Sequence, residues 1–210
     1  MFSRFFYSTS SDLKLNLISV KQYFNSVLLF KKHLLLLIYL TSGLPLRGTE
    51  LVTLRFLNSL KDQREIFLEI GSNLFILNIS YYKGQGHSKK RASNIRYLPP
   101  RVSYLVLLYI VLIYPFVEFL KLSISSVKKL LKTKSLLPYF FFVNNRFLDS
   151  RDLSLGLNSF SKLVLGQKLG IQIYRQVIIT IIKEFILEKL NSSTLLLDEE
   201  DNSLEELVAL

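Results

Sequence analysis

A chain of 210 residues, half of them apolar and none of them cysteine, is long enough for one buried core and excludes a disulfide scaffold, a thiolate zinc site and a cysteine nucleophile. Its only histidines are His33 and His87, and no cluster of His, Asp and Glu has ligand-like spacing, so no bound metal is expected. The formal charge of +11 is unevenly spread: residues 191–210 hold six acids and no base, which leaves 27 basic against 10 acidic residues, a formal +17, over the first 190.

A field of that size attracts polyanions, whether nucleic acid or an anionic membrane surface. The mean hydropathy of +0.31 puts the membrane reading to a test on the longest apolar stretch, Tyr104 to Leu120. That stretch is seventeen residues and contains Pro115 and Glu118, whereas a spanning helix needs about 20 apolar residues. It is expected to be a buried core helix. The first residues, MFSRFFYSTSSD, lack the apolar run and small-residue cleavage site of a secretory signal.

In chain order, Leu13 to Leu40 has apolar residues at helical spacing (Leu17, Val20, Phe24, Val27, Leu28) and passes into LLLLIYL, which predicts one or two core helices. Gly43 and Pro45 interrupt the chain before a short helix within Leu46 to Leu54. From Glu65 to Leu98 the pattern alternates in EIFLEI, NLFILNISYY and NIRYL, which predicts three short strands, the last two joined by the loop KGQGHSKKRAS. Pro99 and Pro100 end the third strand and open the apolar helix. Further helices are expected at Ser123 to Lys132, Ser150 to about Leu169 and Gln172 to about Leu190. The expectation is one domain over residues 1–210, mainly α with a small three-stranded antiparallel sheet (α+β), that includes an acidic C-terminal segment at 191–210. Ser203 and Glu206 there form a capping-box pattern, and a helix beginning so near the terminus is expected to continue into something further.

Three cations stand in contexts that suit phosphate: Arg47 in GLPLRGTEL, Lys83 in YYKGQGHSKKR and Arg175 in IQIYRQVII. Each has an ordinary reading as well. Arg47 and Glu50, three apart, can be a helix surface pair, and Lys83 can be a solvated hairpin lysine. Arg175 sits among Ile173, Val177, Ile178 and Ile179, where an arginine needs acceptors or an anion. Lys89, Lys90, Arg91, Arg96 and Arg101 lie in a stretch, Gly71 to Phe116, that has no acid, and such clusters grip phosphates without reading bases. A second basic run, Lys121, Lys128, Lys129, Lys132 and Lys134, fits a solvated helix face. His87 is expected to be an exposed loop residue.

In this order the elements resemble the catalytic domain of the tyrosine recombinases. In that family a Gly-containing turn leads into an Arg-x-x-Glu helix, a β-hairpin presents a lysine, and a later helix offers a second arginine with a basic or polar residue three positions earlier. Here Arg47 with Glu50, Lys83, and Arg175 with Gln172 match those elements. GLPLRGTEL, Tyr82-Lys83, the RYLP strand end and YRQV are similar to a divergent recombinase-like group of fungal mobile elements. Arg47 follows Gly43 by four positions rather than two, and Gln172 replaces the usual histidine. Glutamine can donate a hydrogen bond to a phosphate oxygen but cannot act as acid or base.

The resemblance implies that Arg47 and Arg175 hold the nonbridging oxygens and that Lys83 protonates the leaving 5′ oxygen, with Glu50 and Gln172 in support. It implies double-stranded DNA as partner, allows a homo-oligomer on DNA, and needs no cofactor. The location would be nuclear if the fungal likeness holds, and otherwise intracellular. The family's nucleophile is a tyrosine downstream of the second arginine, and after Tyr174 this chain has neither tyrosine nor histidine. The expectation is a C-terminally incomplete domain, with the N-terminal core-binding domain absent or vestigial, that binds DNA and does not cleave it alone. Two alternatives stay open: a DNA-binding protein that uses the scaffold without chemistry, and a basic membrane-associated protein.

Overall fold

The computed structural model describes residues 5–8, 13–60, 62–79, 94–127, 138–143 and 146–187. The architecture is mainly helical with a small three-stranded antiparallel sheet. A hairpin of β1 (Phe6–Ser8) and β2 (Leu13–Leu15) precedes α1 (Leu17–Thr41). The Asn16 side chain accepts the Ser19 N–H at 3.2 Å, satisfying one of the donors that a helix start leaves open. LLLLIYL lands in the second half of α1, where Leu34, Leu35, Ile38 and Tyr39 lie in the core. Later helices flank this half of α1, which is why its apolar residues form a run rather than a stripe.

After the short α2 (Gly48–Val52) come β3 (Ile66–Glu69), β4 (Leu74–Ile79) and β5 (Asn94–Tyr97), paired in the order β3-β4-β5. Alternation puts Phe75, Leu77 and Ile79 of the central strand into the core. Buried Ser103 fastens this sheet to the next helix: its hydroxyl accepts the Phe75 N–H at 3.0 Å and donates to the Leu98 carbonyl at 3.1 Å.

That helix runs as α3 (Pro100–Leu108), a π-helical stretch (Tyr109–Ile113) and α4 (Tyr114–Val127). Pro115 explains the widening. Its ring lacks an N–H and would clash with the carbonyl four residues earlier, and the wider turn, in which Tyr114 N–H reaches the Tyr109 carbonyl, makes room for it. Val102, Val106, Tyr109, Val117 and Leu120 are buried, but Tyr104, Leu107, Val111, Phe119 and Leu122 are exposed. The expected core helix is thus buried on one face only. By length and composition α1 and the helix over 100–124 could each cross a membrane, and about a third of the apolar window of α1 is buried in the core.

A second hairpin, β6 (Phe142–Val143) and β7 (Arg146–Phe147), leads to α5 (Ser150–Leu165) and α6 (Ile171–Ile181), which continues as a π-helical turn over Ile182–Leu187. α5 starts at a capping box of Asp149 and Asp152 and stops at Gly166, whose φ of +72° favours glycine. The helix expected at Ser123 to Lys132 has no start of its own, since Ser123 to Val127 is the end of α4, and the rest lies outside the described residues. Residues 191–210 and their capping-box pattern also lie outside them.

At the centre sits a charge. Lys31, in α1, is 2% exposed, and its ammonium donates to the carbonyls of Phe140 and Phe142, the latter at 3.2 Å. The same nitrogen stands 4.4 Å from the centre of the Tyr109 ring. Burial is the main reason its pKa is pushed down to about 7; Lys121 adds to the fall and Glu118 opposes it. The unfolded chain keeps that proton up to the ordinary lysine value of 10.5, whereas the folded chain releases it near 7, so folding expels a proton and rising pH favours the fold. Urea unfolding between pH 7 and 9.5 is expected to show stability rising by up to about 1.4 kcal/mol per pH unit, and Lys31→Met is expected to flatten that rise. An equal slope in the variant would remove Lys31 as its source.

Candidate functional site

The candidate residues gather where α1 ends. The chain leaves the helix through Ser42 and Gly43, and the φ of +88° at Gly43 is the reason glycine stands there. Arg96 reaches across from β5, and its Nη1 donates to the carbonyls of Ser42, at 3.0 Å, and of Leu44. The guanidinium therefore holds the turn against the edge strand. Burial lowers the Arg96 pKa, and the Glu50 carboxylate opposes that shift. Between the turn and β5 an open groove of about 470 Å³ is lined by residues 41–44 and 94–97.

Arg47 begins α2. Glu50 turns back so that its carboxylate accepts the Arg47 N–H at 3.1 Å and lies 3.9 Å from the Arg47 Nε, leaving the arginine side chain 41% exposed. The Arg-x-x-Glu spacing thus does a capping task and also orients the arginine. Gly48 allows a close approach: a Cβ there would stand 2.8 Å from the Ser150 hydroxyl, so α2 starts directly on the start of α5. Beside that start, Asp152 takes a two-pronged contact from Arg146, at 2.9 and 3.3 Å, and one from Lys32 at 2.9 Å. Burial pushes the Asp152 carboxyl up, but these cations and the Asp149 N–H outweigh it and hold it down at about 2. Asp149-x-x-Asp152 was a readable signal for this helix start; the pairing with Lys32, far away in sequence, was not.

Arg175 lies on α6, half-buried, and no described carboxylate is within ion-pair distance of it. Its neighbour Tyr174 packs on Tyr39 with ring centres 5.4 Å apart. Burial raises the Tyr39 pKa to about 12, and the Arg175 charge works against that rise. The Tyr39 hydroxyl is buried without a partner among the described residues. Tyr39 belongs to the last turn of α1, so α6 attaches to the same helix end from which the Arg47 turn departs. Gln172 is exposed in the first turn of α6, one turn before Arg175, and Arg101 is exposed at the start of α3.

The structure thus groups Arg47, Glu50 and Arg96 at the end of α1 and joins α6 to the same helix end through Tyr174 on Tyr39. Lys83, His87, Lys89, Lys90 and Arg91 lie outside the described residues. Among the described residues no group of three His, Cys, Asp or Glu could hold a metal ion. Arg96, expected to contact DNA from its place in a basic run, has its Nη1 engaged by the carbonyls of Ser42 and Leu44. Arg96→Ala is accordingly expected to lower the unfolding free energy by about 2 kcal/mol in urea titrations, the scale of hydrogen bonds to a charged group. A change within a few tenths of a kcal/mol would show that the turn holds without it.

The chain matches no protein-family model, no curated protein and no solved structure.

Proposed function

We propose that this chain is a duplex-DNA-binding domain built like the catalytic domain of a tyrosine recombinase, with Arg47 and Arg175 gripping the phosphate backbone. The observation that carries the reading is the shared anchorage of the two arginines. Arg47 follows the turn at the end of α1, and Arg175 follows Tyr174, whose ring packs on Tyr39 in the last turn of the same helix. Arg175 is also a half-buried guanidinium without a carboxylate partner among the described residues, which an anion would satisfy. The order of elements supports it further: a helix, a Gly turn, an Arg-x-x-Glu helix, a three-stranded sheet and a later Arg helix.

In this reading Lys83, on the connection between β4 and β5, is the leaving-group lysine, and Lys89, Lys90, Arg91 and Arg101 widen the phosphate contact. Glu50 keeps Arg47 in place and Gln172 donates to a phosphate oxygen. No residue after Tyr174 can serve as the attacking tyrosine, so the proposal is of binding, without strand cleavage by this chain alone. No cofactor is required, a homo-oligomer on DNA is compatible with the reading, and a nuclear location goes with the fungal likeness. The exposed apolar side of α3 and α4 favours one competitor, association with a lipid surface.

Binding to generic duplex DNA across a salt series decides between them. Log affinity is expected to fall linearly with log salt, by about 0.9 per phosphate contact. Arg47→Ala with Arg175→Ala is expected to weaken binding and reduce that slope by roughly 2. No binding at low salt, or flotation with anionic vesicles in its place, would overturn the DNA reading.

A further inference from the structure

β5 is an edge strand of the three-stranded sheet, and its register shows which backbone groups it leaves open. The Leu98 N–H donates to the Phe75 carbonyl at 2.9 Å, and the ladder pairs Leu77 with Arg96 and Ile79 with Asn94. Antiparallel alternation therefore turns the backbone groups of Asn94 and Arg96 toward β4 and those of Ile95 and Tyr97 away from it. The open side borders the groove of about 470 Å³ between β5 and the turn after α1. No described strand pairs with that edge.

The groove also presents side chains. Ile95 and Tyr97 share one face of β5 and are 56% and 52% exposed, and Asn94 is exposed as well. Ser42, on the turn across from them, is 4% exposed, and its hydroxyl has no hydrogen-bond partner among the described residues. None of the described lining residues is an acid, and Arg96 supplies a positive charge.

These features select among ligands. A strand added to the edge would need β5 open along its length, but Arg96 ties the turn to the middle of the strand through the Ser42 and Leu44 carbonyls. The volume lies within the usual range of small-molecule sites, about 300 to 1,000 Å³. An exposed aromatic ring beside an isoleucine suits a flat ring system. The backbone groups of Ile95 and Tyr97, the Asn94 amide and the Ser42 hydroxyl suit a ligand whose edge carries both donors and acceptors. A nucleobase combines the two, with a face that stacks on aromatic side chains and an edge that hydrogen-bonds once it is unpaired. Arg47 follows Leu44 by three residues, a reach of at most about 11 Å along the chain, so the groove adjoins the proposed phosphate contact.

We propose that the groove between the turn Ser42–Leu44 and the free edge of β5 binds an unpaired nucleobase, stacked on Tyr97 and hydrogen-bonded by Asn94 and the backbone of Ile95 and Tyr97. Resting on the DNA-binding reading, this site gives the chain a preference: DNA that offers an unpaired base binds more tightly than the fully paired duplex.

Two measurements on the full chain test the site. In the first, affinity at fixed salt is compared between a paired duplex and the same duplex carrying one bulged 2-aminopurine, whose fluorescence reports stacking. The bulged duplex is expected to bind about tenfold more tightly, within the range that one base–aromatic stack contributes, and its fluorescence is expected to change on binding. Tyr97→Ala is expected to bring the ratio to about one, and Tyr97→Phe to keep it. Equal affinities in the wild type, or a ratio that Tyr97→Ala leaves unchanged, overturn the site while the duplex-binding reading stands. In the second, deoxyadenosine monophosphate is titrated at millimolar concentration while backbone amide signals are followed by NMR, with shifts expected at Ser42–Leu44 and Ile95–Tyr97. A chain that shows these shifts but binds neither duplex loses the DNA reading and keeps the groove as a nucleotide site. Neither duplex binding nor shifts at these residues overturns both.

Discussion

The ammonium of Lys31 fixes where the second half of the chain lies against the first. A charge taken out of water is tolerated only with hydrogen-bond acceptors in place, and here the acceptors are backbone carbonyls of Phe140 and Phe142, more than a hundred residues away in sequence. Those residues are themselves tied outward. The Phe140 N–H donates to the Leu54 carbonyl at 2.7 Å, the Phe56 N–H to Pro138 at 2.9 Å, and the Leu148 N–H to Phe141 at 3.0 Å. Leu148 immediately precedes the Asp149 cap of α5, and the start of α5 is the surface on which Gly48 rests. A continuous line of contacts therefore runs from the buried ammonium to the turn that presents Arg47.

The end of α1 is the second fixed point, and it is built from polar groups rather than from packing alone. Two carbonyls beyond the helix find the Arg96 guanidinium, which leaves its Nε buried and unpartnered among the described residues. Arg55 works in the same way on the far side of α2: it bonds Asp62 at 2.7 Å and Glu65 at 3.2 Å and orders the loop that leads to β3. Each of these arginines spends its fork on local architecture, in the fixed geometry that suits guanidinium better than ammonium.

The parts of the fold that depend on periodicity could be read from sequence, and the parts that depend on distant polar partners could not. Phe75, Leu77 and Ile79 alternate along a strand that the sequence predicts, and they point into the core. The caps at Asn16 and at Asp149 follow from local chemistry. By contrast, Lys31 stands in the run FKKHLLLL, where its neighbour Lys32 looks identical, yet one is buried on carbonyls and the other reaches a carboxylate. Nothing local separates the two. Arg96 is similar: in sequence it belongs to a basic run, and only the turn across the groove gives it a partner. The two-residue strands at Phe142 and Arg146 are too short to show alternation, and the helix over 100–127 misled because an apolar run does not say how many of its faces are covered.

The functional reading rests on how the cations divide. Lys31, Lys32, Arg55, Arg96, Lys121 and Arg146 all have an acid or a carbonyl within reach, so their positive charges are largely used within the fold. Arg175 and Arg101 have no such described partner, and Arg47 keeps much of its side chain in solvent while Glu50 steadies its backbone. A guanidinium held at a defined place and left without a carboxylate attracts an external anion more strongly than a freely solvated lysine does, because its ordering cost is already met by the fold. In the proposed reading that anion is the phosphate backbone of DNA, a polyanion of the kind a basic field of this size draws in.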